Sequence, residues 1–118
     1  MKITHKKVED CLLSLPNTKL DYPFGEATAV YKVQDPSTSS GQAKMFALVA
    51  EKSDPVRLSL KCDPQLAETL RQKYESVMPG YHLNKKHWNT IVLTGQLQWE
   101  EVQGLIRHSY QLVLNSQP

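Results

Sequence analysis

The segment Arg57-Leu58-Ser59-Leu60-Lys61-Cys62-Asp63-Pro64 contains both a predicted strand and the start of a predicted helix. Polar and apolar residues alternate along its first half, which predicts a strand with Leu58 and Leu60 on its buried face. Lys61 then lies on the opposite face, where it is available to solvent or to a ligand. The pair Asp63-Pro64 predicts a helix start, because Asp is a favoured N-cap and Pro is tolerated at the first helical position.

On both sides of this segment the chain alternates between short strands and amphipathic helices. Further strands are predicted over residues 28–33, 44–50 and 89–94, and helices over residues 4–15, from Pro64 to Tyr74 or Val77, and 98–114. Short connections among the first three strands favour antiparallel pairing, and the helices should cover one face of the sheet. The predicted class is α+β in the order α-β-β-β-α-β-α, as one domain over residues 1–118. The polar run at residues 35–42 is interpreted as a long hairpin loop.

Length and composition exclude several classes of protein. At 118 residues the chain can bury one hydrophobic core without the help of metals or disulfides. It has no apolar run near the ~18 residues that a membrane span requires, and its N-terminus lacks the apolar core of a secretory signal. Cys11 and Cys62 lie outside any paired-ligand spacing and are expected to be reduced. We therefore expect a cytoplasmic protein without a metal or a cofactor.

Residues 79–89 combine lysine, histidine, asparagine and aromatic side chains more densely than any other stretch. The surrounding residues 57–87 carry six cations and three anions, whereas the whole chain has a net charge of only +2. We expect Trp88 to pack in the core and Asn84 to cap a turn. Lys85 and Lys86 are then left to contact a partner, and adjacent cations beside aromatic residues suit a phosphate-bearing one.

Several blocks of the chain resemble the MmcQ/YjbR family of small bacterial proteins. These blocks are Asp21–Gly25, Val30–Val33, Leu58–Pro64, Leu70-Arg71, Pro79–Thr90 and Ser109-Tyr110. The resemblance implies a CyaY-like α+β fold, in which helices pack on an antiparallel sheet. It also implies a DNA-binding role, because members of the family are often described as DNA-binding proteins.

The residues and the resemblance together predict a non-enzymatic protein that binds double-stranded DNA through its phosphates. The predicted contact residues are Lys61, Arg71, His82, Lys85, Lys86, His87 and Asn89. An alternative stays open, in which the same surface binds a protein or a small anionic ligand.

Metal and enzyme chemistry find less support in the sequence. His82 and His87 are five residues apart, whereas paired zinc ligands on one helix are four apart. Neither histidine has a carboxylate partner nearby in the sequence that would orient it as a general base. The position of Cys62 at a helix start could lower its pKa, but a buried structural thiol is the favoured interpretation.

Iron handling also finds little support in the first helix. The CyaY-like fold is also that of the iron-handling frataxins, but the first helix here sets Lys6 and Lys7 against Glu9 and Asp10 and so lacks an acidic ridge.

The Asp21–Gly25 turn is interpreted as an aromatic staple that closes the sheet against a helix, with a ligand groove as the alternative.

Overall fold

The computed structural model describes residues 3–34, 43–80 and 83–115. The predicted loop at residues 35–42 and the predicted contact residue His82 lie outside the described residues. In chain order the elements are α1 (His5–Leu13), β1 (Thr18–Asp21), β2 (Thr28–Val33), β3 (Lys44–Ala50), β4 (Arg57–Lys61), α2 (Pro64–Lys73), β5 (Val77–Pro79), β6 (Trp88–Val92) and α3 (Trp99–Asn115).

The strands form one six-stranded sheet in the order β1-β2-β3-β4-β6-β5, and each neighbouring pair is antiparallel. Side chains from all three helices pack against a single core on one face of this sheet, among them Leu12 of α1, Leu70 of α2 and Ile106 of α3. The predicted α+β class, with helices on one face of an antiparallel sheet, is confirmed.

Strand β4 shows how the sheet separates its two faces. Leu58 and Leu60 point to the helices and are almost fully buried, whereas Arg57 is exposed. Cross-strand partners share a face of an antiparallel sheet, so the pairing of Lys61 with Trp88 places both on the face without helices. We call this second face the open face.

Two edge strands were absent from the sequence prediction. Strand β1 has four residues and β5 has three, and neither carries the apolar alternation that marks the central strands. Helix α2 ends at Lys73 because Tyr74 is already extended, with φ −126° and ψ 124°, which frees the following residues to form β5.

The side chain of Ser109 joins α3 to the two central strands. Its hydroxyl donates to the carbonyl oxygen of Phe46 over 2.6 Å and accepts from the backbone N–H of Lys61 over 2.9 Å. These two backbone groups lie just beyond the pairing of Ala47 with Leu60, where the ladder between β3 and β4 ends. The hydroxyl therefore satisfies both groups and fixes the end of β4, from which α2 starts.

The Asp21–Gly25 turn does not close over the sheet as an aromatic staple. Phe24 is 68% exposed and Tyr22 is 41% exposed. The Tyr22 hydroxyl instead donates to Oε1 of Glu51 over 3.0 Å, which ties the turn to the end of β3. The interpretation of this turn as an aromatic staple is wrong. In the described part of the chain, no helix combines the length and the apolar character needed to cross a membrane.

Candidate nucleic-acid interface

The two adjacent lysines lie on a short turn, residues 84–87, which we call the basic turn. The side-chain Oδ1 of Asn84 accepts from the N–H of Lys86 over 2.9 Å, and its carbonyl oxygen accepts from the N–H groups of His87 and Trp88. Asn84 therefore caps the turn, as predicted. These three backbone N–H groups are bonded to Asn84, and the side chains of Lys85 and Lys86 are exposed to solvent.

Two further hydrogen bonds attach the basic turn to its neighbours. Nη2 of Arg71 on α2 donates to the carbonyl oxygen of Lys85 over 3.1 Å. The N–H of Cys62, between β4 and α2, donates to the carbonyl oxygen of His87 over 2.7 Å. The turn is thus held against the helix by its backbone, while its lysine side chains stay free of these bonds.

Trp88 follows the basic turn and fixes it from the open face. It is 7% exposed and packs with Val30 and Leu48, which confirms its predicted structural role. Its location on the open face, away from the main core, was not predicted. Gly80 leaves room for this packing, because a Cβ atom there would lie 2.8 Å from Cβ of Trp88.

An open groove of about 670 Å³ runs between α2 and the basic turn. It is lined by Pro64, Gln65, Glu68, Arg71, Gln72, Lys85 and Lys86. Three cations and one carboxylate therefore meet in a single concave surface. Arg71 and both lysines thus converge on one surface.

The structure separates the other predicted contact residues from this groove. Lys61 lies beside Trp88 on the open face and is not among the described residues that line the groove. His87 is half-buried at the end of the basic turn. Asn89 is 2% exposed and donates from Nδ2 to the carbonyl oxygen of Ala67 in α2 over 3.1 Å. Because that side chain is buried under the helix, we leave Asn89 out of the proposed interface.

Cys62 lies close to the groove but is not poised for reaction. Burial, reinforced by the neighbouring carboxylate of Asp63, raises the pKa of its thiol to about 11, against an opposing effect of Arg71. The favoured prediction of a buried structural thiol agrees with this, and both Cys62 and Cys11 are free thiols. In the described ranges, no group of three or more His, Cys, Asp or Glu side chains is arranged to hold a metal ion.

Sequence reasoning missed the polar side of α2. Gln65, Glu68 and Gln72 are exposed and line the groove. Their spacing of three and four residues puts them on one face of a helix, so the same periodicity that revealed the buried stripe of α2 could have revealed them.

These features define a small α+β domain, with helices on one face of a six-stranded antiparallel sheet. The groove beside α2 that is lined by Arg71, Lys85 and Lys86 is called the basic groove below. The chain belongs to the YjbR family, whose sequence model matches residues 13–112. The resemblance found in the sequence is thereby confirmed.

Two curated proteins of Escherichia coli are similar to this chain in sequence. Protein YjbR of Escherichia coli (strain K12) is 43% identical over 74 residues, a match that spans 63% of either chain. YbdF of Escherichia coli O157:H7 is 32% identical over 111 residues, covering 94% of this chain and 84% of YbdF.

Two solved structures share the architecture. A Deinococcus radiodurans protein, described as a DUF419 domain, is 41% identical to this chain, with a TM-score of 0.87. The match covers 96% of this chain and 80% of the Deinococcus chain. A Pseudomonas syringae protein is 30% identical to this chain, with a TM-score of 0.73. The match covers 93% of this chain and 98% of the Pseudomonas chain.

Proposed function

We propose that this protein is a non-enzymatic, cytoplasmic DNA-binding protein that contacts the phosphates of double-stranded DNA through its basic groove. The observation that carries the proposal is the convergence of Arg71, Lys85 and Lys86 on one open surface. Lysine and arginine at such a surface replace the counterions of DNA phosphates, and the release of those ions drives binding.

The rigidity of the basic turn supports the same function. Its backbone is bonded to Asn84, Arg71 and Cys62, so binding does not have to order the main chain that carries the lysines. Less conformational entropy is then lost on association, which leaves more of the electrostatic attraction to appear as affinity. Lys61, which lies on the open face, and the half-buried His87 at the end of the turn lie outside the basic groove.

The test is binding of a fluorescent 20-base-pair duplex near 0.15 M salt. We expect a Kd of about 10⁻⁴ M or tighter, and at least about tenfold weaker binding when Lys85 and Lys86 are both changed to Ala. Lys19 and Lys52 are exposed lysines outside the groove and supply a control pair with the same loss of charge. Equal weakening by the two double variants would remove the basic turn from the interface.

A small anionic ligand is the second candidate, because the groove has the size of a small-molecule site, about 300–1,000 Å³. The three cations of the groove offer partners to the anionic groups of such a ligand, and Glu68 offers a partner to its hydrogen-bond donors. A nucleoside triphosphate is a suitable probe, since it carries clustered phosphates without a duplex. Tighter binding of this probe than of the duplex, lost when Lys85 and Lys86 are changed to Ala, would favour the small ligand.

A further inference from the structure

The exposed face of α2 carries three hydrogen-bonding side chains in a row. Gln65, Glu68 and Gln72 are all exposed, and Nε2 of Gln72 lies 3.5 Å from Oε1 of Glu68, so these two side chains are neighbours. Gln65 lies three residues before Glu68, on the same face of the helix. On the opposite side Ala67 is fully buried against the sheet, so the row points away from the protein body. Amide and carboxylate groups are the side chains that read the edges of bases.

We propose that α2 lies in the major groove of duplex DNA and reads base sequence through Gln65, Glu68 and Gln72. This inference rests on the proposed function, because Arg71, Lys85 and Lys86 would hold the phosphates that border the major groove. Phosphate contacts fix the position of a protein on the duplex, and contacts with base edges give it sequence preference.

The dimensions of α2 suit this placement. The helix has ten residues and is therefore about 15 Å long, and the major groove is about 12 Å wide and admits a helix. Gln65 and Gln72 are separated by about 10 Å along the helix axis, which equals about three base pairs. The row is thus long enough to read a short sequence of about three or four base pairs.

Glu68 supplies the strongest argument for base contact. A carboxylate in a site that binds only phosphates repels its ligand, yet Glu68 lies in the groove with three cations. A carboxylate that faces base edges instead accepts a hydrogen bond from the N4 amino group of cytosine. Gln65 and Gln72 on either side are suited to adenine, which presents one donor and one acceptor.

The experiment is selection of tight binders from duplexes with a randomised central region. We expect enrichment of a sequence limited to about three or four adjacent base pairs, with cytosine opposite Glu68. Substitution of a preferred base pair should weaken binding about five- to 150-fold. In double-stranded RNA of the selected sequence, the same substitution should not weaken binding, because the major groove of RNA is too narrow and deep to be read.

The variant Glu68→Gln provides the specific test, because it keeps the shape of the side chain while it changes its hydrogen bonding. We expect it to shift the preference at one position from cytosine towards adenine. Glu26→Gln makes the same change of charge at an exposed site away from α2 and should leave the selected sequence unchanged.

The outcomes separate this inference from the proposed function. Duplex binding that depends on Lys85 and Lys86 but enriches no sequence would overturn the role of α2 and leave phosphate binding intact. A preference that Glu68→Gln does not alter would also overturn it. Absence of duplex binding would overturn both.

Discussion

The guanidinium group of Arg71 donates a hydrogen bond to the carbonyl oxygen of Lys85, with Nη2 3.1 Å from the oxygen. Its Nε also donates to the carbonyl oxygen of Ala67, one turn back along α2, over 3.2 Å. Two hydrogen bonds therefore fix the guanidinium group of Arg71, which holds the basic turn against the helix. This makes it a positioning residue for the two lysines as well as a cation of the groove.

Replacing Arg71 by Met should release the basic turn while it preserves the apolar stem of the side chain. We expect a loss of about 1–3 kcal/mol in the free energy of unfolding, since two hydrogen bonds from the charged guanidinium group to backbone carbonyls are removed. Hydrogen exchange at the amides of Lys86, His87 and Trp88 should become faster. Arg107→Met, at an exposed site on α3, is the control and should leave these amides unchanged. Equal exchange rates in both variants would contradict the positioning role.

Gly80 and Gly104 form a matched pair of glycines with opposite expected responses to Ala. At Gly80 the added Cβ meets Trp88 at 2.8 Å and Leu83 at 3.2 Å, so we expect a loss of about 1–3 kcal/mol from overpacking. At Gly104, within α3, the added Cβ has no atom within 4 Å, and Ala should stabilise the helix by about 0.5–1 kcal/mol. Urea unfolding of both variants measures this. A neutral Gly80→Ala would mean that Trp88 is not packed as described.

Ser109→Ala should be among the most destabilising conservative changes in the chain. The hydroxyl is fully buried, and its loss leaves both the carbonyl of Phe46 and the N–H of Lys61 without this partner. We expect a loss of about 2–4 kcal/mol, because a buried unpaired group costs about 1–3 kcal/mol. Ser14→Ala removes one exposed hydroxyl that donates to the carbonyl of Cys11, and should cost about 0.5 kcal/mol. Equal losses in denaturant unfolding would rule out the bridging role of Ser109.

The raised pKa of Cys62 should appear in the alkaline pH dependence of stability. Because folding raises this pKa from 9.0 to about 11, the folded protein holds the thiol proton more tightly than the unfolded chain does. The resulting stability is complete below about pH 9 and is lost as the pH rises towards about 11.

Comparison of the wild type with Cys62→Ala isolates this contribution, since burial also raises the pKa of Tyr31, which adds its own alkaline effect in both proteins. We expect the stability advantage of the wild type to be larger at pH 8 than at pH 11 in denaturant unfolding. An advantage that stays constant or grows with pH would contradict the raised pKa.

Much of the fold could be predicted because its signals are local. The alternation around Leu58 and Leu60 and the capping pair Asp63-Pro64 gave β4 and the start of α2 correctly. Strands β1 and β5 could not be predicted in this way, because an edge strand is defined by its pairing partner and not by an apolar pattern of its own.

The candidate site shows the same difference between features with local signals and features that depend on distant parts of the chain. The exposure of Lys85 and Lys86 and the packing of Trp88 follow from residue type and were predicted. The separation of Lys61 from Arg71 depends on which face of the sheet each one reaches, and that is set by strand register. The burial of Asn89 depends on a contact with Ala67, 22 positions away in the chain, and no local pattern indicates it.

The most direct test of the central claim is the salt dependence of duplex binding. Log K of duplex binding falls as log salt rises. If Lys85 and Lys86 each neutralise one phosphate, changing both to Ala should make this slope shallower by about 2. The control pair Lys19 and Lys52 should leave the slope unchanged, since β1 lies roughly 19 Å across the sheet from β6 and Lys52 lies in the connection between β3 and β4. A slope and affinity that stay the same after loss of Lys85 and Lys86 would contradict the account.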